Sequence, residues 1–253
     1  MHDRRTRRLA LDLLDNGVSR REVCRRLGVG YNSTYRWQQR LEPAQHSGEP
    51  ACFRCNEEPP ESPEAYSYLL GQYLGDGHIR RSSRTYCLSI ACCTDYPGVM
   101  DSVAASMRAL LPASVFRRGP YRGAGCLYVE SNSRHWLHLF PQHGQGRKHE
   151  RAIVLDRWQQ DTIASDPRPL IRGLLHSDGC RVTNWTERRV GDTVKRYEYP
   201  RYLFSNRSPD IRRIFTDALD QLGIAWRANL EWSISVARRE AVAALDEFVG
   251  PKT

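Results

Sequence analysis

Two aspartates, Asp76 and Asp178, are the residues whose type and setting point most directly to chemistry. Each is followed by glycine and ends a similar segment, LLGQYLGDG at 69–77 and IRGLLHSDG at 171–179, so the chain carries an internal repeat. Two carboxylates that meet offer oxygen-only ligands, which suit magnesium, with water and phosphate oxygens filling the remaining coordination positions. The repeat therefore predicts a magnesium site and metal-assisted phosphodiester chemistry.

Small residues four positions apart precede each aspartate and predict the elements that position it. They are Ser67, Gly71 and Gly75 in the first segment and Gly173 and Ser177 in the second. Residues four apart share one face of a helix, and small side chains on that face let two helix backbones approach closely. We therefore expect two helices that pack together about a pseudo-twofold axis and bring the aspartates together.

The glycine after each aspartate predicts where each helix stops. Gly77 and Gly179 are expected to supply the left-handed residue of a helix end. The aspartates then lie at the negative end of the helix dipole, which costs each helix about 0.3–1 kcal/mol, and they repel each other. A divalent cation would relieve both penalties, and we include Gly75 and Ser177 with the aspartates in the predicted metal site.

The two segments resemble the paired motifs of the single-chain LAGLIDADG homing endonucleases, and the resemblance covers residues 64–253. It implies an α+β fold in which two pseudo-symmetric αββαββα half-domains, about 64–144 and 165–250, form a saddle that straddles double-stranded DNA. In that family the last acid of each motif binds the catalytic divalent metal. The resemblance assigns that role to Asp76 and Asp178, with magnesium as the expected cofactor.

The residue patterns that follow each motif fit this fold, because the same order of elements occurs twice. The predicted strands are 85–91, 114–118, 126–130, 181–185, 199–205, 226–230 and 233–236. The predicted helices are 96–111, 136–140, 208–222 and 239–248.

Arginines in and near the predicted strands are the candidate DNA contacts of the saddle, since phosphate contacts dominate affinity. They are Arg80, Arg81, Arg117, Arg118, Arg122, Arg181, Arg201 and Arg207. Solvated arginine on an ordinary sheet face is the alternative, so the cluster carries more weight than any one member. Between the halves, the donor-rich segment 142–151 contains Lys148, which joins Asp76 and Asp178 as a candidate catalytic residue.

The N-terminal residues predict a separate helix-turn-helix domain at 1–41. Leucines recur at helical spacing from Leu9 to a helix stop at Gly17, and Ser19 with Glu22 forms a capping-box pattern that opens a second helix. A third helix follows the turn at Gly28. The segment resembles the DNA-binding domains of resolvases and transposases, and a small basic bundle that binds a protein is the alternative.

Polar side chains on the third helix are the predicted contacts with bases or phosphates in the major groove. They are Asn32, Thr34, Arg36 and Gln39.

Residues 42–63 are rich in Pro, Glu, Ser and Gly, without apolar periodicity, and predict a linker. Cys52 and Cys55 within it have the CxxC spacing of half a zinc site, and tetrahedral zinc needs two further ligands. Cys87, Cys92, Cys93 or a histidine could complete the site, and two free thiols are the alternative.

Charge and hydropathy narrow the class of protein further. The 253 residues carry a formal net charge of +9, with a pI near 9.3, so nucleic acid is the expected partner. The mean hydropathy is −0.62, and no apolar run approaches the roughly 18 residues that a membrane span needs. We expect a monomer in the cytoplasm, associated with the nucleoid, that binds no membrane.

Two functional hypotheses from different classes remain at this stage. The first is a magnesium-dependent, site-specific endonuclease, and the intact acid pair favours it. The second is a transcription regulator that uses a domesticated saddle only to bind DNA, as in the WhiA-type regulators. The family often places lysines on strands beside its metals, whereas Lys148, Lys195 and Lys252 lie on no clearly matching strand, which favours the regulator. A serine recombinase is a distant third, because no matching catalytic domain follows the N-terminal module.

Overall fold

The chain folds into two compact units, Met1–Gly48 and Glu49–Thr253. A computed structural model describes residues 4–39, 51–82, 85–112, 114–120 and 125–253. No helix in these ranges is long and apolar enough to cross a membrane.

The smaller unit consists of three short helices, as the N-terminal pattern predicts. They are α1, Arg4–Asp15; α2, Arg20–Leu27; and α3, Tyr31–Gln39. Ser19 caps α2 by accepting a hydrogen bond from the Glu22 backbone N–H at 3.4 Å. Gly17 and Gly28 follow α1 and α2, so both predicted helix stops are confirmed, and both glycines are left-handed, with φ of 80° and 61°.

The interior of the smaller unit differs in detail from the leucine pattern. Ala10, Leu11 and Val23 are buried, whereas Leu9 is 48% exposed. Helical periodicity located the apolar face of α1 to within one residue, and packing against the other two helices decides which neighbours are inside.

The larger unit contains the same succession of elements twice. The first half comprises α4, Pro63–Asp76; β1, Gly77–Arg81; β2, Tyr86–Cys93; α5, Pro97–Leu110; β3, Val115–Pro120; β4, Cys126–Ser133; and α6, Trp136–Leu139. The connecting helix α7 spans Arg157–Ser165. The second half comprises α8, Arg168–Asp178; β5, Gly179–Val190; β6, Thr193–Ser205; α9, Pro209–Gln221; β7, Arg227–Leu230; β8, Ser233–Val236; and α10, Arg239–Asp246.

Each half has one four-stranded antiparallel sheet, and the two sheets have equivalent strand orders. The orders are β1-β2-β4-β3 and β5-β6-β8-β7. One face of each sheet carries apolar residues of the core, including Ile79 and Ile90 in the first sheet and Tyr202 and Phe204 in the second. The predicted α+β fold is confirmed: two pseudo-symmetric αββαββα halves follow a helix-turn-helix domain in the sequence.

Helices α4 and α8 pack against each other through the predicted small residues. A Cβ atom on Gly71 would lie 2.6 Å from the carbonyl oxygen of Leu170 and 2.7 Å from the backbone nitrogen of Leu174. A Cβ on Gly173 would collide with the Tyr68 carbonyl oxygen. The glycines are therefore required by the contact between the two helix backbones, and this contact brings the ends of α4 and α8 together.

The glycines that follow the aspartates act differently from the prediction. Gly77 has φ −85° and ψ 148°, and Gly179 has φ −111° and ψ 168°, so neither is left-handed. Each chain passes directly from helix to strand, and a Cβ on Gly179 would lie 2.6 Å from Leu175 Cδ2. Lack of space, rather than helix-stop geometry, accounts for glycine at these two positions.

The segment predicted as a linker is only partly separate from the larger unit. Cys52 and Phe53 are buried and belong to its hydrophobic core. Phe53 packs edge-on against Tyr66 and Trp158, with ring centroids 6.1 and 5.7 Å away. Residues 51–63 were predicted as part of the linker because their few apolar side chains show neither helical nor strand periodicity. In the structure these side chains fill gaps between α4, α6 and α7.

Candidate active site at the paired helix ends

The two predicted catalytic acids occupy equivalent places in the fold. Asp76 is the last residue of α4 and Asp178 the last residue of α8, and β1 or β5 begins at the next residue. The helix pairing brings the two ends together. Asp76 is exposed and Asp178 half-buried, so solvent and ions reach both carboxylates.

The electrostatic setting disfavours two free carboxylates. Part of Asp76 faces solvent, but the protein atoms packed around its carboxylate reduce the hydration of that group. This loss of hydration, and then the charge of Asp178, raises the pKa of Asp76 to about 6, although Lys148 and Lys252 oppose the shift. Loss of hydration also raises the pKa of Asp178. The Asn206 side chain opposes that rise, because its Nδ2 donates a hydrogen bond to Asp178 Oδ2 at 2.6 Å.

Lys148 brings its ammonium group to the end of α4. Its Nζ donates to the carbonyl oxygens of Tyr73 and, at 2.8 Å, of Gly75, and it lies 5.0 Å from the centroid of the Tyr73 ring. Burial lowers the pKa of Lys148 to about 8, while Asp178 and Asp76 pull the pKa upward. The sequence segment 142–151 had suggested a proton donor near the cleft, and the structure places Lys148 beside the predicted site.

Lys252 does the same at the end of α8. Its Nζ donates to the carbonyl oxygens of Gly179 at 2.5 Å and Ser177 at 3.5 Å, and the Tyr96 ring centroid lies 5.8 Å away. Burial lowers the pKa of Lys252, and Asp76 is the largest influence in the opposite direction. Sequence reasoning missed Lys252 because it looked for lysines on strands, whereas both lysines reach the site from outside the strands.

Each lysine therefore bonds to the carbonyl of the residue that precedes an aspartate. Positive charge at a helix C-terminus complements the helix dipole and satisfies carbonyls that have no partner within the helix. Gly75 and Ser177 were predicted to belong to the metal site, and their carbonyls accept hydrogen bonds from Lys148 and Lys252. A carbonyl oxygen has two lone pairs, so their place in the metal site stays a prediction.

This set of side chains fits a divalent cation that prefers oxygen. Two accessible carboxylates with raised pKa values gain most from a nearby positive charge, and oxygen-only donors match magnesium, calcium or manganese rather than zinc. The lysines add positive charge to the same place, where a phosphate group of a polyanion would also lie favourably.

Two of the predicted strand arginines form ion pairs within the protein. Arg80 donates to Glu130 at 2.7 Å, and Arg181 donates two bonds to Asp246 at 2.8 and 2.9 Å. The predicted phosphate contacts at these positions would need those ion pairs to be given up.

The remaining predicted strand arginines divide into three groups. Arg201 is buried and donates to Ser235 Oγ at 2.7 Å. Because side chains alternate along a strand, Arg81 lies on the same face of the first sheet as Ile79, which is the face towards the helices. Arg207 is exposed, and its guanidinium lies 4.5 Å from the centroid of the Trp232 ring. Arg122 and the side chains of Arg117 and Arg118 lie outside the described part of the structure.

In the smaller unit, one of the four predicted DNA contacts is internal. Thr34 is fully buried and its hydroxyl donates to the Tyr31 carbonyl at 2.8 Å, so the prediction for Thr34 is wrong: it packs α3 onto the unit's core. Asn32 is exposed on α3. The side chains of Arg36 and Gln39 lie outside the described part of the structure.

A basic surface that the sequence reasoning missed lies on the β5–β6 hairpin. On the face opposite the helices, register pairs Arg188 directly with Lys195, and both are exposed. The next pairs on this face are Thr186 with Tyr197 and Asn184 with Tyr199, where the Asn184 amide donates to the Tyr199 hydroxyl at 3.1 Å. The predicted strands 181–185 and 199–205 were too short to show this pairing. We call these six residues the hairpin surface.

The CxxC cysteines come together in the structure. The Sγ atoms of Cys52 and Cys55 are 3.6 Å apart, and the side chains of His135 and His138 lie beside them.

Comparison with known proteins gives matches at two levels. Residues 1–50 match the family of homeodomain-like domains. No curated protein matches the chain in sequence.

Solved structures with a similar fold include LAGLIDADG endonucleases. The LAGLIDADG meganuclease I-AabMI, bound to uncleaved DNA, is 10% identical, with 72% of this chain and 82% of that chain covered and a TM-score of 0.47. Mesophilic variants of the homing endonuclease I-DmoI are 15% identical, with 75% and 97% covered and a TM-score of 0.48. I-DmoI in complex with DNA and Mn is 14% identical, with 76% and 100% covered and a TM-score of 0.47.

Proposed function

We propose that this protein is a site-specific DNA endonuclease that hydrolyses phosphodiester bonds with the help of a divalent cation, magnesium being the expected ion. The observation that carries the proposal is the repeated site: two close-packed helices end in Asp76 and Asp178, and Lys148 and Lys252 bond to equivalent helix-end carbonyls. Two equivalent sets of one acid and one lysine suit a substrate with two equivalent strands.

Asp76 and Asp178 would hold the cation. When bound, a divalent cation polarises a phosphate and lowers the pKa of water, which supplies both an electrophile and a nucleophile for hydrolysis. Asn206 orients the Asp178 carboxylate through its 2.6 Å hydrogen bond. Retention of both acids argues for cleavage rather than binding alone, because carboxylates that serve no cation repel the phosphates they approach.

The two lysines would place positive charge on either side of the acids. The Nζ of Lys148, with its pKa lowered to about 8, can both offset negative charge that develops on phosphate and exchange a proton near neutral pH. The lack of strand lysines was the sequence-based reason to favour a regulator. The positions of Lys148 and Lys252 remove that reason.

Two surfaces would recognise the DNA. In the larger unit, Arg188 and Lys195 repel each other across the hairpin, which a phosphate between them would relieve. The tyrosines and Asn184 of the hairpin surface can contact base edges. In the smaller unit, α3 is the proposed recognition helix, and its exposed side, which carries Asn32, would face the DNA.

One chain supplies both acids and both lysines, so we propose that the protein acts as a monomer on double-stranded DNA. The test is cleavage of a randomised plasmid library with magnesium, by the unaltered protein and by the Asp76→Asn, Asp178→Asn double variant. We expect cuts at discrete sequences that the double variant abolishes while it still binds the selected DNA. Tight, specific binding without cleavage by the unaltered protein in magnesium or manganese would instead identify a DNA-binding regulator.

A further inference from the structure

Four side chains with metal-binding atoms converge where residues 51–55 meet α6. Cys52 precedes the short 3₁₀ turn Phe53–Cys55 and Cys55 ends it, while His135 precedes α6 and His138 lies within it. Their Sγ and Nδ1 atoms all lie within 4.8 Å of one another. We propose that these four atoms bind one structural zinc ion, which completes the half-site that the CxxC spacing suggested.

The distances between the four atoms match the edges of a zinc-centred tetrahedron. Zinc bonds of about 2.3 Å to sulfur and about 2.05 Å to nitrogen give edges of roughly 3.8 Å for S–S, 3.6 Å for S–N and 3.3 Å for N–N. The structure has 3.6 Å between the sulfurs and 3.4 Å between the two Nδ1 atoms. Three of the four sulfur–nitrogen distances are 3.7, 3.4 and 3.3 Å, and the fourth, between Cys52 and His135, is within 4.8 Å.

Alternative explanations of the cluster account for fewer of these contacts. The sulfurs are too far apart for a disulfide, whose S–S bond is about 2.05 Å. Free thiols with one histidine in its neutral Nδ1–H form would supply only three hydrogens for the five close contacts among these atoms. Four convergent soft donors favour zinc over magnesium, and a full set of four protein ligands is typical of structural rather than catalytic zinc.

Both ligand pairs are anchored by buried neighbours, so the donors are positioned before an ion arrives. Phe53, between the cysteines, packs against Tyr66 and Trp158. Trp136 and Leu139 beside the histidines are fully buried. The His135 backbone N–H donates to Ser133 Oγ at 2.9 Å, which fixes the start of α6. Its ring Nε2 is buried without a partner among the described residues, so polar contacts of this ring run through Nδ1.

A zinc ion here would fasten the segment that follows the smaller unit to the first half-domain. The cysteines and the histidines lie 80 to 86 residues apart in the sequence, so the ion closes a long loop of the chain. Because the unfolded chain offers no preformed site, the free energy of zinc binding adds to the free energy of folding. The cysteine and histidine donors also separate this site chemically from the oxygen donors of Asp76 and Asp178.

The full-length protein, purified without chelator, provides the test. We expect about one zinc ion per chain by elemental analysis. Replacement of the zinc by Co²⁺ should give the strong visible absorption of a tetrahedral site and the ultraviolet band of thiolate ligands. Cys55→Ser combined with His138→Asn should lose the zinc and lower Tm, whereas Cys180→Ser, which changes an exposed cysteine outside the cluster, should keep it.

Two further results decide between the possible outcomes. The Asp76→Asn, Asp178→Asn variant should retain the zinc, so loss of endonuclease activity and loss of zinc are separate observations. The proposal is overturned if the unaltered protein carries no zinc and gives no tetrahedral Co²⁺ spectrum, or if the Cys55→Ser, His138→Asn variant keeps stoichiometric zinc. The Co²⁺ spectrum of the unaltered protein decides the question even if that variant does not fold.

Discussion

At the scale of single residues, the acid pair destabilises the fold when no cation is bound. The pKa of Asp76 is about 6 in the folded protein, above its ordinary value of 3.8. An acid with a raised folded-state pKa binds its proton more tightly when folded, so its effect on stability becomes unfavourable as pH rises from about 4 through about 6. The acids are held at the helix ends against this cost, which is consistent with a role in binding a cation.

The first prediction concerns that cost. In EDTA, the free energy of unfolding of the unaltered protein should fall relative to that of Asp76→Asn between pH 4 and pH 6.5, because the substitution removes the titrating group. The comparison of the two proteins is needed because burial lowers the pKa of His176 to about 4, which makes stability rise with pH over the same window in both. Magnesium should raise Tm of the unaltered protein at pH 7.5 and leave the Asp76→Asn, Asp178→Asn variant unchanged. Urea unfolding at each pH measures the first effect, and a melting curve with and without magnesium measures the second. Equal magnesium stabilisation of both proteins would place the cation elsewhere.

A second prediction concerns Lys148, whose ammonium lies between the helix end and the acids. Lys148→Met should lower the single-turnover cleavage rate by about 10²-fold, typical for loss of a group that moves a proton or offsets charge, with DNA affinity nearly unchanged. Lys148→Arg keeps the positive charge but not a pKa near 8, so its rate should lose the dependence on pH that the lysine confers.

The matched control is Lys195→Met on the hairpin surface. It should weaken DNA binding while the cleavage rate at saturating protein stays the same. A Lys148→Met protein that cleaves at the normal rate once DNA is saturated would show that Lys148 serves only to bind DNA or to hold α4.

At the scale of elements, the contact between α4 and α8 determines whether the two sites exist. Gly173→Ala would drive a methyl group into the Tyr68 carbonyl, which is backbone and cannot move aside. We expect a loss of about 1–3 kcal/mol in the free energy of unfolding, and a larger relative loss of cleavage because the helix ends separate. Gly144→Ala is the control, since its Cβ would make only ordinary contacts at 3.5 Å or more with Arg151. Chemical denaturation measures both, and equal stability of the two variants would contradict the close contact.

A further prediction concerns the contribution of the hairpin surface to DNA binding. Replacing Arg188 and Lys195 together by alanine removes two like charges that face each other, so the free protein should be as stable as before or slightly more stable. DNA affinity should fall, and the slope of log Kd against log salt should decrease by about 2 if each residue neutralises one phosphate. Arg157→Ala with Arg168→Ala, on the connecting helix and the start of α8, is a charge-matched control. An unchanged salt slope in the hairpin variant would remove this surface from the DNA interface.

Sequence reasoning reached the elements more reliably than the contacts between them. The pair of motifs, the small residues of α4 and α8 and the alternating strands are local patterns, and they predicted the repeated fold and the two acids. The rest depends on contacts with other parts of the chain. Such contacts decide that Gly77 is not left-handed, that Thr34 points inward and that Lys252 reaches the end of α8. Residues 51–55 show the same limit, because His135 and His138 become neighbours of the CxxC only after the first half-domain has folded.

At the scale of the whole molecule, the chain divides between Gly48 and Glu49 into two units that each have their own buried core. The proposed catalytic groups and the four proposed zinc ligands all lie in the larger unit. We therefore predict that a chain of residues 49–253 folds, keeps its zinc and retains the acid-dependent cleavage.

The linked smaller unit raises the local concentration of a second DNA-binding surface, so its removal should weaken binding by about 10²-fold or more. A footprinting experiment should show protection lost at one end of the site, with the cut position unchanged. If the 49–253 chain binds with full affinity and protects the whole site, the homeodomain-like unit does not contact DNA in this complex, and its partner is to be sought among proteins.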